Sequence, residues 1–154
     1  TVEAFERLRE AGKIGGWGVS NFDVTDMAHL ANPACATNQV LYNLEQRGIE
    51  FDLLPWAQIH LMPLMAYCPI AQAGHLLKNP VLQDIAARHD ATPAQICLAW
   101  VLRNKGVIAI PKAVKPEHIR LNAAAAQLTL TAEDLHAIDS AWPAPTRKRV
   151  LAMV

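Results

Sequence analysis

The feature that most constrains the fold of this chain is an alternation of short apolar runs with longer stretches that carry helix signals. Four runs have the length and apolar character of buried strands, at residues 14–19, 37–42, 64–67 and 107–110. At least one stretch with helical signals follows each of them. Strands that alternate with helices over short connections run parallel and are joined by right-handed crossovers. The sequence therefore predicts an α/β fold with four parallel strands.

Capping residues and prolines indicate where the helices begin and end. Asn79-Pro80 and Thr92-Pro93 are typical of an N-cap residue followed by proline in the first helical position. Gly12 is the expected end of the opening helix, because glycine adopts the left-handed conformation at no steric cost. The predicted helices are 2–11, a helix capped by Thr25 and ending near 31, 49–61, 80–87, 94–103, a helix opened by Pro116, and a helix capped by Thr131 and ending near 141.

The length of the chain limits how much of a closed fold it can form. A complete eight-stranded (β/α)8 TIM barrel needs about 250 residues, whereas this chain has 154. Residues 1–154 are therefore predicted to form one partial barrel. Half a barrel leaves two strand edges unpaired and its inner face without an opposite wall. We expect the isolated chain to pair with a complementary half or a second copy, or to be only marginally stable.

Composition excludes several classes of function. The formal net charge is zero with no clustered basic block, which argues against nucleic acid as a partner. No apolar run approaches the roughly 20 residues of a membrane span, and no secretory signal is visible. The three cysteines are far apart without a C-x-x-C pair, which favours a reducing cytoplasm, and the histidines lack metal-ligand spacing, so no metal site is expected.

Polar residues follow the predicted strands at the points where ligands bind in parallel α/β folds. Ser20 and Asn21 follow the first strand, Gln39 lies late in the second, Tyr67 ends the third, and Lys112 follows the fourth. Each has a structural alternative: turn chemistry for the Ser-Asn pair, a backbone hydrogen bond for Gln39, a core position for Tyr67 and a solvated loop for Lys112. Together they would place amides, an aromatic ring and a cation at the same end of the predicted sheet, where the strands have their carboxyl ends.

A nicotinamide dinucleotide matches that combination of groups. Ser20, Asn21 and Gln39 would hydrogen-bond its carboxamide, and the ring of Tyr67 would stack on the nicotinamide. Lys112, close to the start of the helix that Pro116 opens, would hold a phosphate through its charge and the helix dipole, which suggests NADP. The glycine-rich segment 15–18 does not indicate a Rossmann fold, because it opens a strand and lacks G-x-G-x-x-G spacing.

Four motifs in order give the chain a family resemblance over nearly its whole length. They are Gly18-Val19-Ser20-Asn21-Phe22; Asn38-Gln39-Val40 with Tyr42-Asn43; Ala66-Tyr67-Cys68-Pro69-Ile70; and Ile110-Pro111-Lys112 continuing to Asn122. The set resembles the aldo/keto reductases, and specifically the carboxyl-terminal half of their TIM barrel. The brief tail after Trp142 is similar to that of bacterial members acting on small aldehydes.

The resemblance implies NADPH-dependent reduction of aldehydes and ketones to alcohols. The family's proton-donating tyrosine and its aspartate, lysine and histidine partners belong to the amino-terminal half of the barrel, so no residue of this chain is assigned a catalytic role. The chain is expected to supply the cofactor site and to be inactive as an isolated fragment. The alternative is a non-catalytic half-barrel that binds nucleotide or a protein partner.

The resemblance also assigns residues to the cofactor. Ser20, Asn21 and Gln39 match the carboxamide binders, Tyr67 the stacking tyrosine, Lys112 the 2′-phosphate contact and Asn122 the adenine contact. The full set of cofactor-binding residues implied by the motifs is Ser20, Asn21, Gln39, Tyr67, Cys68, Ile70, Lys112, Ala113, Val114, His118 and Asn122.

Three departures from the family pattern predict a weak preference for NADPH over NADH. Ala113 stands where a hydroxyl residue usually bonds the phosphate, His118 where an arginine is common, and Leu121 where an acidic residue often contacts adenine. A histidine is largely neutral at pH 7 and, unlike an arginine, cannot donate two parallel hydrogen bonds to a phosphate. Titrations should therefore give similar Kd values for NADPH and NADH, and a preference above about 100-fold would contradict this prediction.

Overall fold

A computed structural model of the chain describes residues 1–72 and 74–154. Eleven helices and strands follow one another in these residues. In chain order they are α1 Val2–Glu10, β1 Trp17–Ser20, α2 Val24–Leu30, β2 Cys35–Leu41, α3 Leu53–Ile59, β3 Leu64–Tyr67, α4 Pro80–Arg88, α5 Pro93–Leu102, β4 Val107–Ala109, α6 Pro116–Ala124 and α7 Ala132–Ala141. Three short 3₁₀ helices lie at Gly48–Glu50, Leu76–Lys78 and Ala125–Gln127.

The four strands form one parallel sheet in the order β1-β2-β3-β4, which confirms the predicted fold class. Ser20 lies opposite Gln39, and Leu41 lies opposite Tyr67. Ala66 lies opposite Ala109 in β4. Because all four strands run the same way and neighbours in sequence are neighbours in space, their carboxyl ends lie along one edge of the sheet.

Several predicted boundaries were wrong. β1 begins at Trp17 and β2 at Cys35, and α2 is capped by Asp23, whose side chain accepts a hydrogen bond from the backbone of Asp26, and not by Thr25. The predicted helix 49–61 is a 3₁₀ turn followed by α3. The break has a clear cause, because Pro55 lacks an N–H and its ring would clash with the carbonyl of residue 51 in a continuous helix.

The main core lies on the sheet face that the later helices cover. Outward side chains such as Val40, Leu64 and Ala66 are about 1% exposed and pack with the buried residues of α4 and α5. The opposite face is less covered, and Ile108 of β4 is 48% exposed. This exposed face corresponds to the interior of a complete barrel.

A buried polar network holds the connection that follows β2. Tyr42, which is fully buried, donates a hydrogen bond to Glu50 Oε1 at 2.6 Å and accepts one from Asn104 Nδ2 at 3.0 Å. Arg103 also donates to the Tyr42 hydroxyl, at 3.1 Å, and its guanidinium lies 3.8 Å from the centre of the Trp100 ring. Burial raises the pKa of Tyr42, so the hydroxyl stays protonated and keeps donating to Glu50.

Asp134 joins the start of α7 to the end of α4. Its buried carboxylate is 2.6 Å from Arg88 Nη2 and 2.7 Å from His89 Nε2, and it accepts a hydrogen bond from the Thr131 backbone. Burial alone would raise the pKa of Asp134, but the hydrogen bonds from His89 and Arg88 outweigh it and lower the pKa below its usual range.

Replacing Asp134 with asparagine should therefore destabilise the fold, by about 2 kcal/mol near neutral pH. The pKa of Asp134 is lower in the folded protein than its value of about 4 in the unfolded chain. The ionised carboxylate therefore stabilises the fold fully above about pH 4, and this stabilisation is lost progressively as the pH falls below that value. Urea melts should show the gap between the wild type and Asp134→Asn closing below that pH. Asp84→Asn is the matched control, because Asp84 pairs with the same Arg88 but is 69% exposed.

Gly18 should tolerate no side chain, because β1 and β2 approach each other closely there. A Cβ on Gly18 would lie 2.5 Å from the Thr37 carbonyl oxygen, whereas one on Gly16 would lie an ordinary 3.7 Å from the Ala36 Cβ. Gly18→Ala should cost about 2 kcal/mol of unfolding free energy in denaturant melts. Gly16→Ala should change it by less than about 0.5 kcal/mol, and equal effects of the two changes would contradict the close approach.

Candidate functional site

The ends of β1 and β2 are joined at one backbone carbonyl. The carbonyl oxygen of Gln39 accepts a hydrogen bond from Ser20 Oγ at 3.0 Å and from the Asn21 backbone N–H at 2.9 Å. Asn21 adopts φ +57°, in the left-handed region that asparagine enters more readily than most residues. The turn after β1 is therefore fixed against the backbone of β2 at Gln39.

Tyr67 completes a cluster that spans three strands. Its hydroxyl donates a hydrogen bond to Asn21 Oδ1 at 3.2 Å. Gln39 and Tyr67 lie on the same face of the sheet, because Leu41 lies opposite Tyr67 and Gln39 is two residues before Leu41. The structure thus brings together the predicted residues Ser20, Asn21, Gln39 and Tyr67.

Asn43 holds the connections after β2 and β3 together. It is 2% exposed, and its Nδ2 donates to the Cys68 carbonyl oxygen at 2.9 Å. Its Oδ1 accepts hydrogen bonds from the backbone of Glu45 and of Gln46. Cys68 is half-buried with φ +48°, and Ile70 packs partly against the main core. Cys68 and Ile70 therefore lie at the end of β3, next to Tyr67.

The predicted residues after β4 lie on the segment that leads into α6. Ile110 donates its backbone N–H to the Ala66 carbonyl at 3.1 Å, so Lys112 follows a residue that lies against β3. Ala113 and Asn122 line one cavity of about 310 Å³. The other three predicted residues of this segment, Lys112, Val114 and His118, are exposed and do not line that cavity.

The carboxyl-terminal tail contributes to a cavity that was not predicted from the sequence. Residues 143–152 and the connection after β2 enclose a cavity of about 490 Å³, and Leu41 lines its wall. Arg47 donates to the Trp142 carbonyl oxygen and forms a 2.7 Å ion pair with Asp139, which holds the start of the tail against this connection. The prolines and basic residues of segment 143–154 predict a tail that lies over the surface, but they do not indicate which part of the surface it contacts.

In the part of the chain that the structure describes, no helix has the length and apolar character needed to cross a membrane. No group of three or more histidine, cysteine or acidic side chains that could hold a metal ion occurs in residues 1–72 and 74–154.

Four parallel strands that alternate with helices define half of a (β/α)8 barrel. The chain belongs to the aldo/keto reductase family, whose model matches residues 1–143. This confirms the family resemblance of the four motifs.

Named relatives agree with this assignment. The chain is 51% identical over 162 aligned residues to methylglyoxal reductase YeaE of Escherichia coli (strain K12), covering 100% of this chain and 57% of that protein. It is 36% identical to the glyoxal reductase of Bacillus subtilis (strain 168), covering 91% of this chain and 50% of that protein. The chain thus spans little more than half the length of these relatives.

A solved structure shows the same backbone arrangement. An aldo-keto reductase from Klebsiella pneumoniae in complex with NADPH superimposes with a TM-score of 0.97 at 51% identity. The match covers 100% of this chain and 57% of that one.

Proposed function

We propose that the intact protein, with this chain as its cofactor-binding part, reduces small aldehydes and ketones to alcohols with NADPH. The observation that carries the proposal is the convergence of Ser20, Asn21, Gln39 and Tyr67 at the carboxyl ends of three parallel strands. Relatives named methylglyoxal reductase and glyoxal reductase favour small aldehydes, including 2-oxoaldehydes, as substrates.

The hydrogen-bonding groups of the cluster fit a carboxamide, which needs both donors and an acceptor. Tyr67 already donates to Asn21 Oδ1, so Asn21 Nδ2 is the group of that side chain left to donate. Gln39 uses its backbone carbonyl for Ser20 and Asn21, and its side-chain amide can both donate and accept. The half-buried ring of Tyr67 offers a flat surface for stacking.

The residues after β4 would hold the phosphate and adenine end of the cofactor. Lys112 supplies a cation just before α6, where the helix N-terminus also favours an anion. Ala113 and Asn122 line the adjoining cavity. NADPH, when bound, supplies a hydride. The role of this chain is to orient the nicotinamide at the strand ends, and a residue outside it would protonate the substrate oxygen.

The unpaired edges and the exposed inner face of this sheet favour the rest of the barrel as its partner. β1 and β4 are the two edge strands, and Ile108 on the inner face is 48% exposed. A complementary half would pair with both edges and cover that face. We also propose a cytoplasmic location, because all three cysteines are free thiols and two of them, Cys35 and Cys97, are buried.

Loss of NADPH absorbance with methylglyoxal, measured for the intact protein and for the isolated chain, tests the reaction. We expect turnover only by the intact protein. Binding of NADPH without turnover of methylglyoxal or of other small aldehydes by the intact protein would instead favour the non-catalytic alternative.

The cofactor site is tested by two variants of Tyr67 in the intact protein. Tyr67→Ala removes the stacking ring and should raise the Kd of NADPH by about tenfold. Tyr67→Phe keeps the ring and loses only the hydroxyl that bonds Asn21, so its Kd should stay within about threefold of wild type. Equal Kd values for wild type and Tyr67→Ala, by fluorescence titration, would contradict the proposed stacking.

A further inference from the structure

The tail after α7 carries one lysine that bridges two strand-end connections. Lys148 Nζ lies 3.1 Å from Asp52 Oδ2 and 3.5 Å from Asp23 Oδ2. Asp23 follows β1 and caps α2, whereas Asp52 lies between β2 and α3. A single ammonium group therefore joins the tail to the connections that follow both β1 and β2.

Other contacts hold the tail before and after Lys148, whereas the segment of the tail between those contacts is largely exposed. Arg47 holds the carbonyl of Trp142 at the start of the tail, and Leu151 packs partly against the main core. Between them Val150 is 91% exposed. The hydrogen bond to Asp52 raises the pKa of Lys148, so the ammonium remains charged while it lies between the two carboxylates.

The position of the tail matters because the tail forms one wall of a cavity that reaches the end of β2 at Leu41. That cavity, of about 490 Å³, has Leu41 on one side and Pro143, Thr146 and Leu151 of the tail on another. Leu41 lies opposite Tyr67 in the sheet. A carbonyl compound in the cavity would thus lie next to the place proposed for the nicotinamide.

We propose that Lys148 is a positioning residue: its ion pairs with Asp23 and Asp52 hold the tail as a fixed wall of the substrate cavity. The substrate part of this inference rests on the proposed carbonyl reduction. The placement of the tail does not, because it follows from the ion pairs alone.

Limited trypsin digestion of the intact protein tests the placement of the tail. Asp52→Asn removes one partner of Lys148 and leaves the cleavage sites at Arg147, Lys148 and Arg149 intact. Asp52 makes no side-chain capping bond to α3, so the change should spare that helix. Cleavage in the tail, followed by mass spectrometry, should become about fivefold faster, in the range expected for partly exposed ion pairs.

The matched control for digestion is Asp90→Asn, which removes an exposed carboxylate that forms no ion pair within residues 1–72 and 74–154. Its tail should be cut at the wild-type rate. If Asp52→Asn and the double change with Asp23→Asn are also cut at the wild-type rate, the ion pairs do not hold the tail and the proposal is overturned.

Steady-state kinetics of the intact protein test the consequence for substrate. Lys148→Met should raise KM for methylglyoxal by about fivefold, with kcat within twofold and the Kd of NADPH unchanged, whereas Lys148→Arg should restore KM because arginine keeps the charge. An unchanged KM, or a loss confined to kcat or NADPH affinity, would overturn the positioning role. Absence of any carbonyl turnover would overturn the proposed function, and digestion would then still decide whether Lys148 holds the tail.

Discussion

The parallel register of β1, β2 and β3 is the constraint on which the candidate site depends. It sets Ser20 opposite Gln39 and Leu41 opposite Tyr67, so groups that are 19 to 46 residues apart in sequence meet at one edge of the sheet. A slip of one residue in any strand would turn its side chains to the other face. A slip of β3 would remove the hydrogen bond from Tyr67 to Asn21, and a slip of β1 against β2 would remove the two bonds to the Gln39 carbonyl.

Buried polar contacts of Arg47 connect the core to the segments that surround the ends of the strands. Arg47 lies 5.0 Å from the centre of the Trp100 ring, pairs with Glu50 and holds the backbone at Trp142. Its side chain is only 6% exposed, so its charge needs all of these partners. The same residue therefore joins α5, the connection after β2 and the start of the tail. Arg47 and Trp142 both line the cavity of about 490 Å³, so this contact also fixes part of the cavity wall.

Much of the fold could be predicted because its signals are local. β3 was predicted with its observed bounds, and Asn79 and Thr92 cap α4 and α5 as expected. The predicted helix 49–61 was wrong because Pro55 cannot lie inside a continuous helix, although the apolar spacing favours one. The cluster at the strand ends could be predicted because apolar runs there end abruptly in polar residues, whereas the binding role of each side chain remains a prediction.

The sequence by itself determined the order of strands and helices and the family, because apolar runs, capping residues and four ordered motifs are properties of neighbouring residues. Only the tertiary structure decided which charges meet. Arg47 and Asp139 are 92 residues apart, and Lys148 pairs with carboxylates on two different connections. Nothing in a stretch of sequence distinguishes these charges from solvated ones. Their partners are selected by the packing of helices on the sheet, which brings the tail back over the ends of β1 and β2.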